Sequence, residues 1–106
     1  METLSDAVRR FEEQGFDDAF RAEGPKLRAL RAGRSFAPEE LVIDEVARFE
    51  GTSDPQDEAV LFALRSEDRS VRGTLVAAYG PQGDPATGEL VRRLESAHRA
   101  RSRDEA

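Results

Sequence analysis

Four residues have the types a small-ligand site needs: Arg48, Glu50, Asp54 and Tyr79. A guanidinium, two carboxylates and a phenol supply donors, acceptors and a stacking face. They converge if the segments ending near Phe49 and Tyr79 are the first and third strands of an antiparallel meander, because those two strands run in the same direction. The same stretch has a plainer reading. Tyr79 precedes Gly80-Pro81 and Asp84-Pro85, the composition of a turn whose aromatic ring caps the core.

Other candidates weigh less. Leu41-Val42-Ile43-Asp44-Glu45-Val46-Ala47, followed by Gly51-Thr52, resembles the phosphoribosyl-diphosphate motif, in which carboxylates hold ribose hydroxyls and loop N–H groups cradle a phosphate. Here Arg48, Phe49 and Glu50 separate the strand from the glycine, and Glu50 puts negative charge where the phosphate would sit. Asp44 and Glu45 then read as solvent-facing strand residues. Ser53-Asp54-Pro55-Gln56-Asp57-Glu58 offers three carboxylates to a hard cation but lacks the Asp-x-Asp spacing of a calcium loop. An ordinary turn at Asp54-Pro55 explains it better. His98 is the only histidine and cysteine is absent, so neither zinc-ligand spacing nor a disulfide is present. Lys26, Arg28, Arg31 and Arg34, and Arg92, Arg93, Arg99, Arg101 and Arg103, form two basic clusters without interleaved aromatics. They read as solvated surface rather than as a nucleic-acid platform. Neither a G-x-S-x-G elbow nor a P-loop occurs.

The elements that would position these groups must come from a small core. At 106 residues with 38% apolar and 36% charged residues, one two-layer α+β domain is the expectation. The net charge of −6 is spread: eight basic against twelve acidic residues in 1–53, eight against ten in 54–106. Such a field disfavours nucleic acid and anionic membranes as partners. Arginine supplies every basic residue except Lys26, which fits a salt-adapted or GC-rich source. METLSDAVRRFEEQG lacks the apolar stretch of a signal peptide, and no apolar run is long enough to span a membrane. The cytoplasm is the expected compartment.

Leu4, Ala7, Val8 and Phe11 fall on one helical face, with Thr3 or Ser5 as cap and Gly15 as stop, predicting a helix over about 4–14. Gly24-Pro25 interrupts residues 18–34 and predicts a short hairpin. Pro38-Glu39-Glu40 predicts one helical turn. Three apolar-patterned runs, about 42–50, 58–66 and 71–79, predict a three-stranded meander. Val60, Phe62 and Leu64 share a face, as do Val71, Gly73, Leu75, Ala77 and Tyr79, with Val76 and Ala78 on the reverse. That two-sided last strand predicts a central position or a dimer contact. The first strand is ambiguous: Ile43, Ala47 and Phe49 alternate against Val42 and Val46. Gly80 to Gly88 reads as a loop, and Leu90, Val91, Leu94, Ala97 and His98 predict a helix over about 86–99. Both helices are expected on one sheet face, with a domain over 1–100 and a frayed polar tail over 101–106.

Arg48-Phe49-Glu50-Gly51, Ser53-Asp54-Pro55, Asp57, Gly73-Thr74-Leu75-Val76 and Ala78-Tyr79-Gly80 together resemble the signature of a family of small, uncharacterised bacterial proteins. The resemblance covers most of the chain, including the first helix and Pro38 to Leu41. Members are often labelled phosphoribosylpyrophosphate synthetases, a label that matches the acidic strand motif above. The resemblance implies no established catalytic residues and no cofactor. The expectation is a non-enzymatic binding or regulatory module that self-associates or docks a protein. The alternative is a sugar-phosphate or nucleotide binder, an enzyme in one variant, with its site at the strand ends.

Overall fold

A computed structural model describes residues 2–49, 59–78 and 85–104. The chain is α+β. In order it forms α1 (Leu4–Glu13), β1 (Asp18–Glu23), β2 (Lys26–Ala29), β3 (Arg34–Phe36), a 3-10 turn (Pro38–Glu40), β4 (Leu41–Phe49), β5 (Ala59–Ser66), β6 (Arg72–Ala78) and α2 (Pro85–Asp104).

Local chemistry explains the element boundaries. Thr3 caps α1 reciprocally: its Oγ1 accepts from Asp6 N–H, and Asp6 accepts from Thr3 N–H. Gly15, at φ 104°, turns the chain after α1. The β1–β2 hairpin closes on Gly24-Pro25, with Glu23 opposite Lys26. Gly24 has φ 59°, and proline fixes a negative φ at the next position, the pairing that a type II′ turn requires. The Pro38–Glu40 turn is as the sequence indicates; Glu40 accepts from Ala37 N–H at 2.7 Å.

The six strands form one sheet in the order β3-β2-β1-β6-β5-β4. Two antiparallel meanders, β1-β2-β3 and β4-β5-β6, meet along a parallel seam. The seam is two residue pairs long, Asp18 opposite Gly73 and Ala19 opposite Thr74. The predicted 42–79 meander is present, and β6 is central. The strand β3 adds an edge that the sequence pattern did not indicate.

The helices lie on opposite faces, not on one. β5 explains why. Val60, Phe62 and Leu64 pack with Leu90 and Leu94 of α2. The alternating residues Leu61 and Ala63 pack with Ala7 and Phe11 of α1, together with Phe16. The run Ala59–Leu64 is buried on both sides, so each face needs its own cover. Burying a leucine or phenylalanine here contributes about 1.5–3 kcal/mol, so neither face can be left open at that strand. The final helix also extends beyond its expected end: it reaches Asp104, and Arg101 donates to Leu41 O at 2.8 Å and Glu39 O at 2.8 Å.

A bulge resolves the ambiguity in β4. Ile43 pairs with Leu64 but Glu45 pairs with Ala63, so Asp44 is the extra residue. Before it, Leu41 and Ile43 face α2. After it the parity reverses: Val46 and Arg48, opposite Phe62 and Val60, face α2, while Ala47 and Phe49 join the α1-side cluster. Among the described residues no helix is long and apolar enough to cross a membrane.

Candidate functional site

Of the four residues singled out at the strand ends, Arg48 is described; Glu50, Asp54 and Tyr79 lie outside the described residues. So do the Ser53–Glu58 acidic stretch and the Gly80–Asp84 turn. Arg48, the last residue but one of β4, lies on the strand's α2-facing side, exposed.

The acidic pair of β4 is engaged elsewhere. Asp44 accepts from Arg65 Nε at 3.1 Å, and Glu45 lies 3.7 Å from Arg10 Nη1. Both carboxylates sit mid-strand on a sheet edge. They are not gathered at a strand terminus above a phosphate loop, as the phosphoribosyl chemistry requires.

The basic clusters are largely tied down. Arg28 and Arg31 pair with Glu23 and Asp17. Arg34 donates to Ser70 Oγ at 3.0 Å. Arg93 donates to Glu39 at 3.0 Å and to Pro25 O at 3.1 Å, fastening α2 to the 3-10 turn and the β1–β2 hairpin. Glu39 holds its proton less readily than a free glutamate because Arg93 hydrogen-bonds its carboxylate. These arginines act as staples between elements, a role beyond the solvated surface that the sequence indicated.

Two polar arrangements were not evident from the sequence. Asp18 is buried, and its carboxylate accepts from Ala19 N–H at 2.7 Å, Arg31 N–H at 2.8 Å and Ala32 N–H at 3.0 Å. It ties the β2–β3 turn to the start of β1. Ser66 and Asp68 build the β5–β6 turn. Val71 N–H donates to Ser66 Oγ at 3.1 Å in a buried contact, and Asp68 accepts from Ser66 Oγ, Ser70 N–H and Ser70 Oγ. The Ser70 N–H, then the two hydroxyls, hold the Asp68 carboxyl far below its ordinary range. Arg69 completes the turn at φ 64°.

Beside this turn is a cleft of about 260 Å³ lined by Arg34, Phe36, Glu40, Ser66, Glu67 and Asp68. Arg34, Ser66 and Asp68 are satisfied by one another or by Ser70. A second cleft, about 250 Å³, lies between β4 and the last turns of α2. Its apolar floor is Ile43, Val46 and Phe62; Arg48, Glu95, His98 and Arg99 rim it. The Asp44 bulge creates it, because regular alternation after Ile43 would turn Ala47 and Phe49, not Val46 and Arg48, toward α2. His98, read from the sequence as a helix-end residue, sits on this rim.

On the opposite face, α1 is ten residues long, about 15 Å at 1.5 Å per residue. The nine residues of β4 extend to roughly 30 Å. The helix therefore leaves part of the face uncovered. Val76 is 46% exposed, and Ala47 and Phe49, two strands away on the same face, are half-buried. Among the described residues no group of three or more His, Cys, Asp or Glu side chains is placed to hold a metal ion. The chain matches no family model, no curated protein and no solved structure.

Proposed function

We propose that this protein is a cytoplasmic, non-enzymatic binding or regulatory module that self-associates through the α1 side of β4–β6. One observation carries the reading: Val76, in the middle of a central strand, is exposed on a sheet face that a ten-residue helix covers incompletely. A valine in that position is ordinarily covered, and an apolar surface at the heart of a sheet face is the kind that a second copy would bury around a two-fold axis. The net charge of −6 weighs against nucleic acid as the partner. Sedimentation velocity across a concentration series tests it. A dimer for the native chain and a monomer for Val76→Asp, with unchanged circular dichroism, is the expected result. A native chain that stays monomeric throughout would remove this reading.

The alternative is a sugar-phosphate or nucleotide site at the strand ends near Glu50 and Tyr79. It draws on Arg48, an arginine at the end of β4 with neither an ion pair nor a hydrogen bond among the described residues. Amide shifts during titration with ribose 5-phosphate and Mg²⁺, read at residues 44–58 and 79–84, decide it; silence there dismisses it.

A further inference from the structure

We propose that the cleft between β4 and α2 binds a small aryl monocarboxylate. Four observations lead there. First, the floor is apolar: Ile43 and Phe62 are buried core residues, while Val46 is 42% exposed, so the floor reaches solvent at the cleft. Second, the rim carries two guanidinium groups, Arg48 and Arg99, and the imidazole of His98. None of these makes an ion pair or hydrogen bond among the described residues, although Arg10, Arg65, Arg93 and Arg101 each lie within 4 Å of a carboxylate.

Third, Glu95 shares the rim yet pairs with none of these groups. It stands one helical turn before His98 and Arg99, a spacing at which an ion pair readily forms. Counting Arg48 and Arg99 against Glu95, the rim is net +1 with His98 neutral. That balance suits a single negative charge, and a multiply charged phosphate would face Glu95. Fourth, the volume of about 250 Å³ would hold about eight waters at ~30 Å³ each, which is the scale of a one-ring ligand rather than a nucleotide. The carboxylate would take the guanidinium donors, which favour planar, bidentate oxyanions. The ring would lie on Val46 and Phe62, where an unpaired guanidinium can also stack. The satisfied cleft beside the β5–β6 turn lacks this combination of an apolar floor and unspent cationic donors.

The test is a ¹⁵N-amide titration of the whole chain with benzoate, benzamide and inorganic phosphate in parallel. Benzoate is expected to give saturable shifts confined to residues 43–48, 62 and 95–99. Benzamide, equal in shape but uncharged, and phosphate, charged but without a ring, are each expected to bind at least tenfold more weakly. The double variant Arg48→Gln/Arg99→Gln should lose benzoate affinity by at least tenfold while keeping its thermal midpoint, since both side chains are exposed. No localised shift with benzoate overturns the proposal. Equal binding of benzamide or phosphate also overturns it, as does a double variant that binds benzoate normally. Because the sedimentation test concerns the other sheet face, either result can fail without the other.

Discussion

The parallel seam offers the sharpest prediction, through Gly73→Ala. A Cβ built on Gly73 would lie 2.7 Å from the Asp18 carbonyl carbon and 2.9 Å from its Cβ, and nearer still to the carbonyl oxygen. Ordinary carbon contacts begin near 3.5 Å, so β1 must retreat by roughly 0.8 Å (3.5 − 2.7). The obstacle is backbone and has no rotamer by which to escape. Overpacking of this kind costs about 1–3 kcal/mol. Only two residue pairs hold the seam, so the shift also strains its hydrogen bonds, at about 1 kcal/mol each. Gly73 does not occupy the positive-φ region, so alanine restricts the unfolded chain and returns about 0.4–1 kcal/mol. The sum is a loss of about 3 kcal/mol, a large part of the 5–15 kcal/mol typical of a domain. At roughly 4 °C or more per kcal/mol for a chain of this size, the melting temperature should fall by at least about 12 °C. Urea unfolding gives the free energy, and native-state hydrogen exchange gives the location: amides of β1–β3 should lose protection before those of β4–β6. A variant within about 1 kcal/mol of the native chain would refute the steric reasoning.

Ser66→Ala should destabilise the fold by about 1–3 kcal/mol in denaturant unfolding, because the buried Val71 N–H loses its acceptor. Asp18→Ala removes the acceptor of three backbone donors and should cost about 2–4 kcal/mol. Asp18→Asn should recover only part of this, since its NH2 group would face N–H donors. Asp68, whose carboxyl is depressed by Ser70 N–H and the two hydroxyls, predicts a pH effect. Its proton binds the unfolded chain more readily, so the stabilisation is complete above the ordinary carboxylate pKa and is lost as pH falls below it. Thermal midpoints of Asp68→Asn should therefore fall less between pH 5 and the acid limb than those of the native chain; parallel curves would contradict this.

How far the sequence reaches depends on the range of each interaction. The α1 stripe of Leu4, Ala7, Val8 and Phe11, the Gly24-Pro25 hairpin and the 42–79 meander are local patterns, and each is where the periodicity puts it. Two features were out of reach. β3 is three residues long, too short for any period. The seam between Asp18 and Gly73 is a long-range contact that no local pattern encodes. The placement of the two helices on opposite faces does have a local signal, the unbroken apolar run from Ala59 to Leu64, which needs cover on both sides and not only on its even-numbered one. Within the candidate site, Arg48 was legible as a residue type but not as a direction. Its orientation is set by the irregularity at Asp44, where the Ile43–Leu64 and Glu45–Ala63 pairs fall out of step.

That irregularity decides which residues β4 shows to each side. At its present length, a β4 that alternated regularly past Ile43 would carry Ala47 and Phe49 toward α2 and send Val46 and Arg48 outward. Excising Asp44, by contrast, would restore unbroken pairing with β5 and leave Val46 and Arg48 on the α2 side. A relative one codon shorter at this point would thus keep the same charged rim on a straighter strand. The same extra residue kinks an outermost strand, which discourages indiscriminate pairing with other chains.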